Sequence, residues 1–200
     1  MKYDLHGVRA LYPRIDKPYT WDGVVNKSMP CAYTAEGAKY ECSFSVTEDI
    51  AKDLVRNCVA EYKRVKQGNW PEYKPTSIAE VFREDEMQPN HFIVKAQKKT
   101  YGDPNTRVAQ FMEDGSRAPD GFQLTTGSIV NALLLLKPWS MGGRGGVSLR
   151  LQAVKCLQLA EGGIQTDPWA DGIVTSNVAS LNSGAQSTPS DAFFEDDFSI

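Results

Sequence analysis

The sequence predicts a mainly β protein: a five-stranded, partly open barrel with one inserted amphipathic helix, followed by a disordered acidic C-terminal tail. Three observations carry this prediction. Apolar and polar residues alternate in short segments along residues 1–160, the period of half-buried strands. That alternation gives way to a sustained 3.6-residue period once, between residues 48 and 66. Periodicity is lost from Gly162 onward, and Ser, Asn, Thr, Ala and Gly accumulate over residues 174–190, a composition that suits a solvated linker. Two hundred residues with 41% hydrophobic content support one compact domain plus extensions. The expected organisation is a barrel domain over 1–160, a flexible linker over 161–188 and a tail over 189–200.

The elements follow in order. An N-terminal strand is expected over about Tyr3 to Tyr12. Residues 38–46 alternate cleanly and place Tyr40, Cys42, Phe44 and Val46 on one face. Thr47 then opens a helix whose first turn carries Glu48 and Asp49, favourable beside the positive end of the helix dipole. Ile50, Leu54, Cys58 and Tyr62 form its apolar stripe, Lys63, Arg64 and Lys66 gather at its negative end, and Gly68 is expected to stop it. Further strands are expected over 91–99, 107–112, 128–137 and 147–159, with 137–146 as a long hairpin loop. The strand over 128–137 is apolar on both faces, which predicts cover by the barrel core on one side and by the helix or a partner subunit on the other. About six strands with one early helix fit a barrel of the OB type better than a sandwich.

Charge divides the chain at Lys155, its last cation. Residues 1–155 hold all 22 Lys and Arg and 18 of the 25 acids, net +4, and the remainder is −7. A basic body with an acidic tip on a leash predicts a tail that resembles the body's polyanionic ligand. The longest apolar run, Ile129 to Leu136, is broken by Asn131 and falls far short of the roughly 18 residues of a membrane span. The N-terminus lacks a secretory pattern, so a cytosolic protein with reduced cysteines is expected.

No catalytic constellation emerges, and no enzyme, metal or cofactor is expected. Glu80, Glu84, Asp85 and Glu86 could tempt a metal-nuclease reading, but their placement around Val81 and Phe82 reads as the exposed side of a short element. Cys31, Cys42, Cys58 and Cys156 form no C-x-x-C pair, and His6 and His91 have no ligand-like spacing to them. The run Gly142 to Gly146 lacks phosphate-loop spacing and lies between strands rather than opening a helix.

Aromatic residues interleaved with cations do recur. Lys17, Tyr19 and Trp21, with Arg14, form one group; Lys95, Lys99, Tyr101 and Arg107, with Lys98, a second; Lys137, Trp139, Arg144 and Arg150 a third. Single-stranded nucleic acid suits this mixture, because unpaired bases stack on rings and phosphates need cationic partners. Tyr101 and Trp139 are expected in polar loops, and the strand from His91 should turn Lys95, Gln97 and Lys99 outward.

In its order of elements the chain resembles single-stranded-DNA-binding proteins of the tailed-bacteriophage replication type. The resemblance rests on Lys17-Pro18-Tyr19, the strand-helix unit 38–66, Gly127-Ser128, Lys137-Pro138-Trp139, Asp167-Pro168-Trp169-Ala170-Asp171 and the acid-aromatic terminus. It implies an OB-fold body that sheathes single strands in replication and recombination. It also implies a tail, Asp191, Phe193, Phe194, Glu195, Asp196, Asp197 and Phe198, that docks on a polymerase or primase-helicase and competes with DNA for the basic cleft. Dimerisation through the body is a further implication. The chain departs from the family pattern by ending in Ser199-Ile200 after a sparser acid run. An alternative reading is an adaptor whose tail binds a partner protein and whose body touches no nucleic acid.

Overall fold

The computed structural model describes residues 1–161, so the expected linker from 162 and the tail lie outside the described residues. The elements are β1 (Lys2–Asp22), β2 (Lys27–Pro30), β3 (Lys39–Thr47), α1 (Glu48–Val65), β4 (Arg83–Glu84), β5 (His91–Lys99), β6 (Ala109–Phe111), β7 (Ile129–Met141) and β8 (Arg144–Gln158). A single 3-10 turn occupies Ile78–Glu80.

Alternation builds the barrel wall. Tyr40, Cys42, Phe44 and Val46 of β3, Val94 and Ala96 of β5, and Val130, Ala132, Leu134 and Leu136 of β7 all point inward and are buried. β1 pairs antiparallel with β3 and β7, β3 with β5, and β7 with β8. The circuit closes where β5 meets β8 in parallel through one pair, Gln97 opposite Arg150. Five strands in this circuit make the OB barrel, closed rather than partly open. The short strands β2, β4 and β6 extend the wall at its edges.

Helix α1 forms as its period dictates. Ala51, Leu54, Cys58 and Tyr62 are buried, with Ile50 and Val55 packed partly against the same core. Full burial of a side chain such as Leu54 contributes about 1.5–3 kcal/mol. Thr47 stands at the N-cap without a side-chain hydrogen bond; the first free amide, Glu48 N–H, donates instead to the Asn90 carbonyl at 3.1 Å. The helix ends at Lys66, ahead of Gly68, because Lys66 adopts an extended ψ of 128°. The Tyr3 hydroxyl donates to Asp53 Oδ2 at 2.9 Å and ties α1 to β1. Burial pushes the Cys58 thiol up to about 12, and all four cysteines are free.

Three expectations need correction. First, β1 runs on to Asp22, bending where its register with β3 shifts between Leu11 and Arg14 and again before Tyr19. Such bulges let one long strand serve two sides of a barrel.

Second, 137–146 is not a long loop. Strands β7 and β8 stay paired to Met141 and Arg144, and only Gly142 and Gly143 turn the chain, both at positive φ as a two-residue hairpin requires. Pro138 fits within β7 because the pairing with β1 ends at Leu135, leaving that edge without a ladder to interrupt.

Third, α1 does not cover the second face of β7, the face for which a partner subunit is the other expected cover. Tyr3, paired with Leu134, reaches α1, so the helix lies on the inner side, and Leu133 and Leu135 on the outer side stay half-exposed. On β8 a bulge at Gln152 flips the phase, so Leu149 and Leu151 point inward before it and Val154 and Cys156 after it.

Candidate nucleic-acid interface

Residues opposite one another in adjacent strands share a face, so the register defines the barrel's outer surface. One row crosses four strands: Arg14 on β1, Glu41 on β3, Gln97 on β5 and Arg150 on β8. The next row is Tyr19, Lys39 and Lys99. On the other side of Glu41 lie Leu11, Ser43 and Lys95. Three positions expected to bind, Tyr19, Lys95 and Lys99, are therefore neighbours on one patch with Arg150.

Glu41 lies at the centre of this patch and is only 5% exposed. Arg14 Nη1 donates to its Oε1 at 2.8 Å, and Lys39 Nζ and Lys95 Nζ approach Oε2 at 2.9 and 3.1 Å. Burial opposes its ionisation, but hydrogen bonds and charge from Lys39 and Lys95 outweigh that and hold its pKa at about 2. The Arg14 guanidinium also lies 5.7 Å from the centre of the Tyr19 ring, a cation–π distance.

Rings flank the rows. Trp21, two residues beyond Tyr19 and on the same face of the β1–β2 hairpin, is 59% exposed. Tyr101, just after β5, is 71% exposed and accepts a hydrogen bond from Arg150 Nη2 at 3.3 Å. Lys17 is exposed near Asp16 at 3.9 Å. Exposed Arg107 belongs to the segment after Tyr101, where its carbonyl accepts from Lys98 Nζ at 2.8 Å; burial lowers the Lys98 pKa. Past the closing pair a groove of about 550 Å³ opens between Ile93–Gln97 and Val147–Leu149, with Arg83 on its lining.

The third expected group lies further out. Lys137 stands opposite Ser148, which lines that groove, and Trp139 opposite Gly146. Trp139 is in a strand rather than a loop and is 39% exposed. A β-carbon at Gly146 would come within 2.9 Å of its ring. Arg144, opposite Met141, sits at the hairpin tip.

The fold has solved counterparts. A single-stranded DNA-binding protein from bacteriophage Enc34, in complex with ssDNA, aligns over 80% of this chain and 88% of its own, with TM-score 0.59 and 15% identity. Gp2.5, a single-stranded DNA binding protein encoded by bacteriophage T7, aligns over 86% of this chain and 96% of its own, with TM-score 0.53 and 18% identity. This chain has the fold of these phage proteins. No family model matches the sequence, and no curated protein sequence does.

Sequence reading missed the middle of the patch. Glu41 and Lys39 belong to the outer set of β3 as surely as Tyr40 and Cys42 belong to the inner one, but an acid does not announce itself as part of a cationic face. The four acids near residue 84 do not converge either: Asp85 accepts from Ser45 Oγ at 2.6 Å, and Glu80 is bonded to Thr76. Among the described residues no three His, Cys, Asp or Glu side chains are grouped as a metal site, and no helix is long and apolar enough to cross a membrane.

Proposed function

We propose that the protein binds single-stranded DNA with little sequence preference, across the outer face of β1, β3, β5 and β8, in phage replication and recombination. The four-strand row with rings at its flanks carries this reading. Tyr19, Trp21 and Tyr101 offer stacking surfaces, and Lys95, Lys99, Arg107 and Arg150 offer phosphate partners among them. Stacking is indifferent to base identity because every base has a π face. Lys17, Lys137, Trp139 and Arg144 extend the path at its two ends. That solved proteins of this fold are single-stranded-DNA-binding proteins supports the same assignment.

The acidic-aromatic terminus, Asp191 to Phe198, acts as a recruiting handle for replication proteins and as a competitor for the basic face. Any random coil of roughly 30 residues spans roughly 30 Å, enough to cross a domain of this size.

The experiment is a tryptophan-fluorescence titration with oligothymidine across a salt series, for the full chain and for a chain ending at residue 188. The full chain should bind with a salt-dependent affinity, and the shorter one more tightly, most clearly at low salt. Equal affinities at low salt would remove the competitor role. No binding by either chain would remove the nucleic-acid reading and favour the adaptor.

A further inference from the structure

A buried carboxylate at the centre of a face meant for a polyanion calls for its own account. Glu41 is paired across the sheet with Arg14 on one side and Gln97 on the other, and it receives cations from three strands, β1, β3 and β5. The two nearest are themselves largely enclosed, Arg14 at 14% and Lys39 at 24% side-chain exposure. Lys95, at 57%, is the most open of the three.

Resting on the reading of this face as a single-strand binding surface, we infer that Glu41 is a built-in anion that fills the central anion position. It engages Arg14 and Lys39 so that they do not contact phosphate. Two effects follow from its placement. A phosphate entering the centre would meet a fixed negative charge to which enclosed Arg14 and Lys39 are already turned, so the sugar–phosphate chain is kept to the rim, at Lys99, Arg107, Arg150 and the open side of Lys95. The floor is left to bases. By holding Arg14, Glu41 also fixes the guanidinium beside Tyr19, which orients that ring as a platform. Glu41 is thus a positioning residue: it acts on the strand through Arg14 and Tyr19.

Counting cations gives the opposite expectation for Arg14. A face read as a sum of charges treats every Arg and Lys as a phosphate contact, and each contact contributes a slope of about 0.7 in log affinity against log salt for a single strand. Here Arg14 contributes none while Glu41 is present.

The test is a double-mutant cycle on the full chain, read as the salt slope of oligothymidine binding. Arg14→Gln alone should leave the slope unchanged. Glu41→Gln should steepen it by about 0.7 per released cation and tighten binding at low salt. Arg14→Gln in the Glu41→Gln background should then take back about 0.7 of that slope. A fall of that size on Arg14→Gln alone would overturn the proposal, and so would an unchanged slope in folded Glu41→Gln. If Glu41→Gln does not fold, Arg14→Gln in the otherwise native chain still decides. Loss of all binding by the native chain would instead strike the functional reading beneath it.

Discussion

Gly145 lies so close to Tyr62 that a β-carbon at position 145 would overlap the phenol oxygen. Tyr62 has no room to yield. It is fully buried, donates to the Pro71 carbonyl at 2.9 Å, and packs its ring near Trp70 and Tyr73. The glycine run that reads as a loose tip is therefore the place where β8 passes the last turns of α1. Gly145→Ala should destabilise by about 1–3 kcal/mol through overpacking, a drop of at least about 2 °C in melting temperature for a chain of this size. Gly146→Ala, whose obstacle is the half-open Trp139 ring, should lose less. A thermal melt of Gly145→Ala at the native temperature would show that Tyr62 moves freely.

Leu54 joins α1 to the barrel core and is fully buried. Leu54→Ala should cost about 2–5 kcal/mol, transfer and cavity together. Chemical denaturation should show this as a lower midpoint at unchanged slope. Oligothymidine affinity of the folded fraction should be unaffected, because Leu54 faces away from the outer surface.

Glu41 makes stability depend on acid in a defined window. Its pKa is about 2 in the folded chain against an ordinary 4.5, so the folded form holds the ionised state. The contribution is complete above about 4.5 and is lost as pH falls through the folded value near 2. The stability difference between the native chain and Glu41→Gln should be constant from neutral pH to about 4.5 and shrink below it. A difference that instead grows on acidification would contradict the ion-pair assignment.

The exposed rings should each matter to binding. Trp21→Ala and Tyr101→Ala should weaken oligothymidine binding by about 1–3 kcal/mol apiece if each stacks on one base, with little change in salt slope. The native chain should lose tryptophan fluorescence on binding, and Trp21→Ala should lose part of that signal. Phosphate contacts behave oppositely: Lys99→Gln should flatten the slope by about 0.7.

What could be read from the sequence was whatever a single repeat period encodes. Strands β3 and β5 and helix α1 emerge within a residue or two because Tyr40 to Val46, Val94 to Ala96 and Leu54 to Tyr62 keep one phase from end to end. The second half of β1 was hidden because its bulges break the phase, and Pro13 and Pro18 look like stops. The end of β7 was hidden for the same reason, since Pro138 is harmless only where no strand pairs on its other edge. In the candidate site, residue type located the rings and cations along the chain. Register was needed to see that Arg14, Glu41, Gln97 and Arg150 form one row.

The position of β1 between β3 and β7 has a consequence for synthesis. The first strand to leave the ribosome finds β2 and β3 early, but along Lys2 to Arg9 its second edge stays bare until Ile129–Met141 has been made. For most of translation the nascent chain therefore carries an open strand edge, the kind that recruits foreign strands. Slowing elongation between residues 50 and 130 should raise the aggregated fraction, whereas slowing it after residue 160 should not.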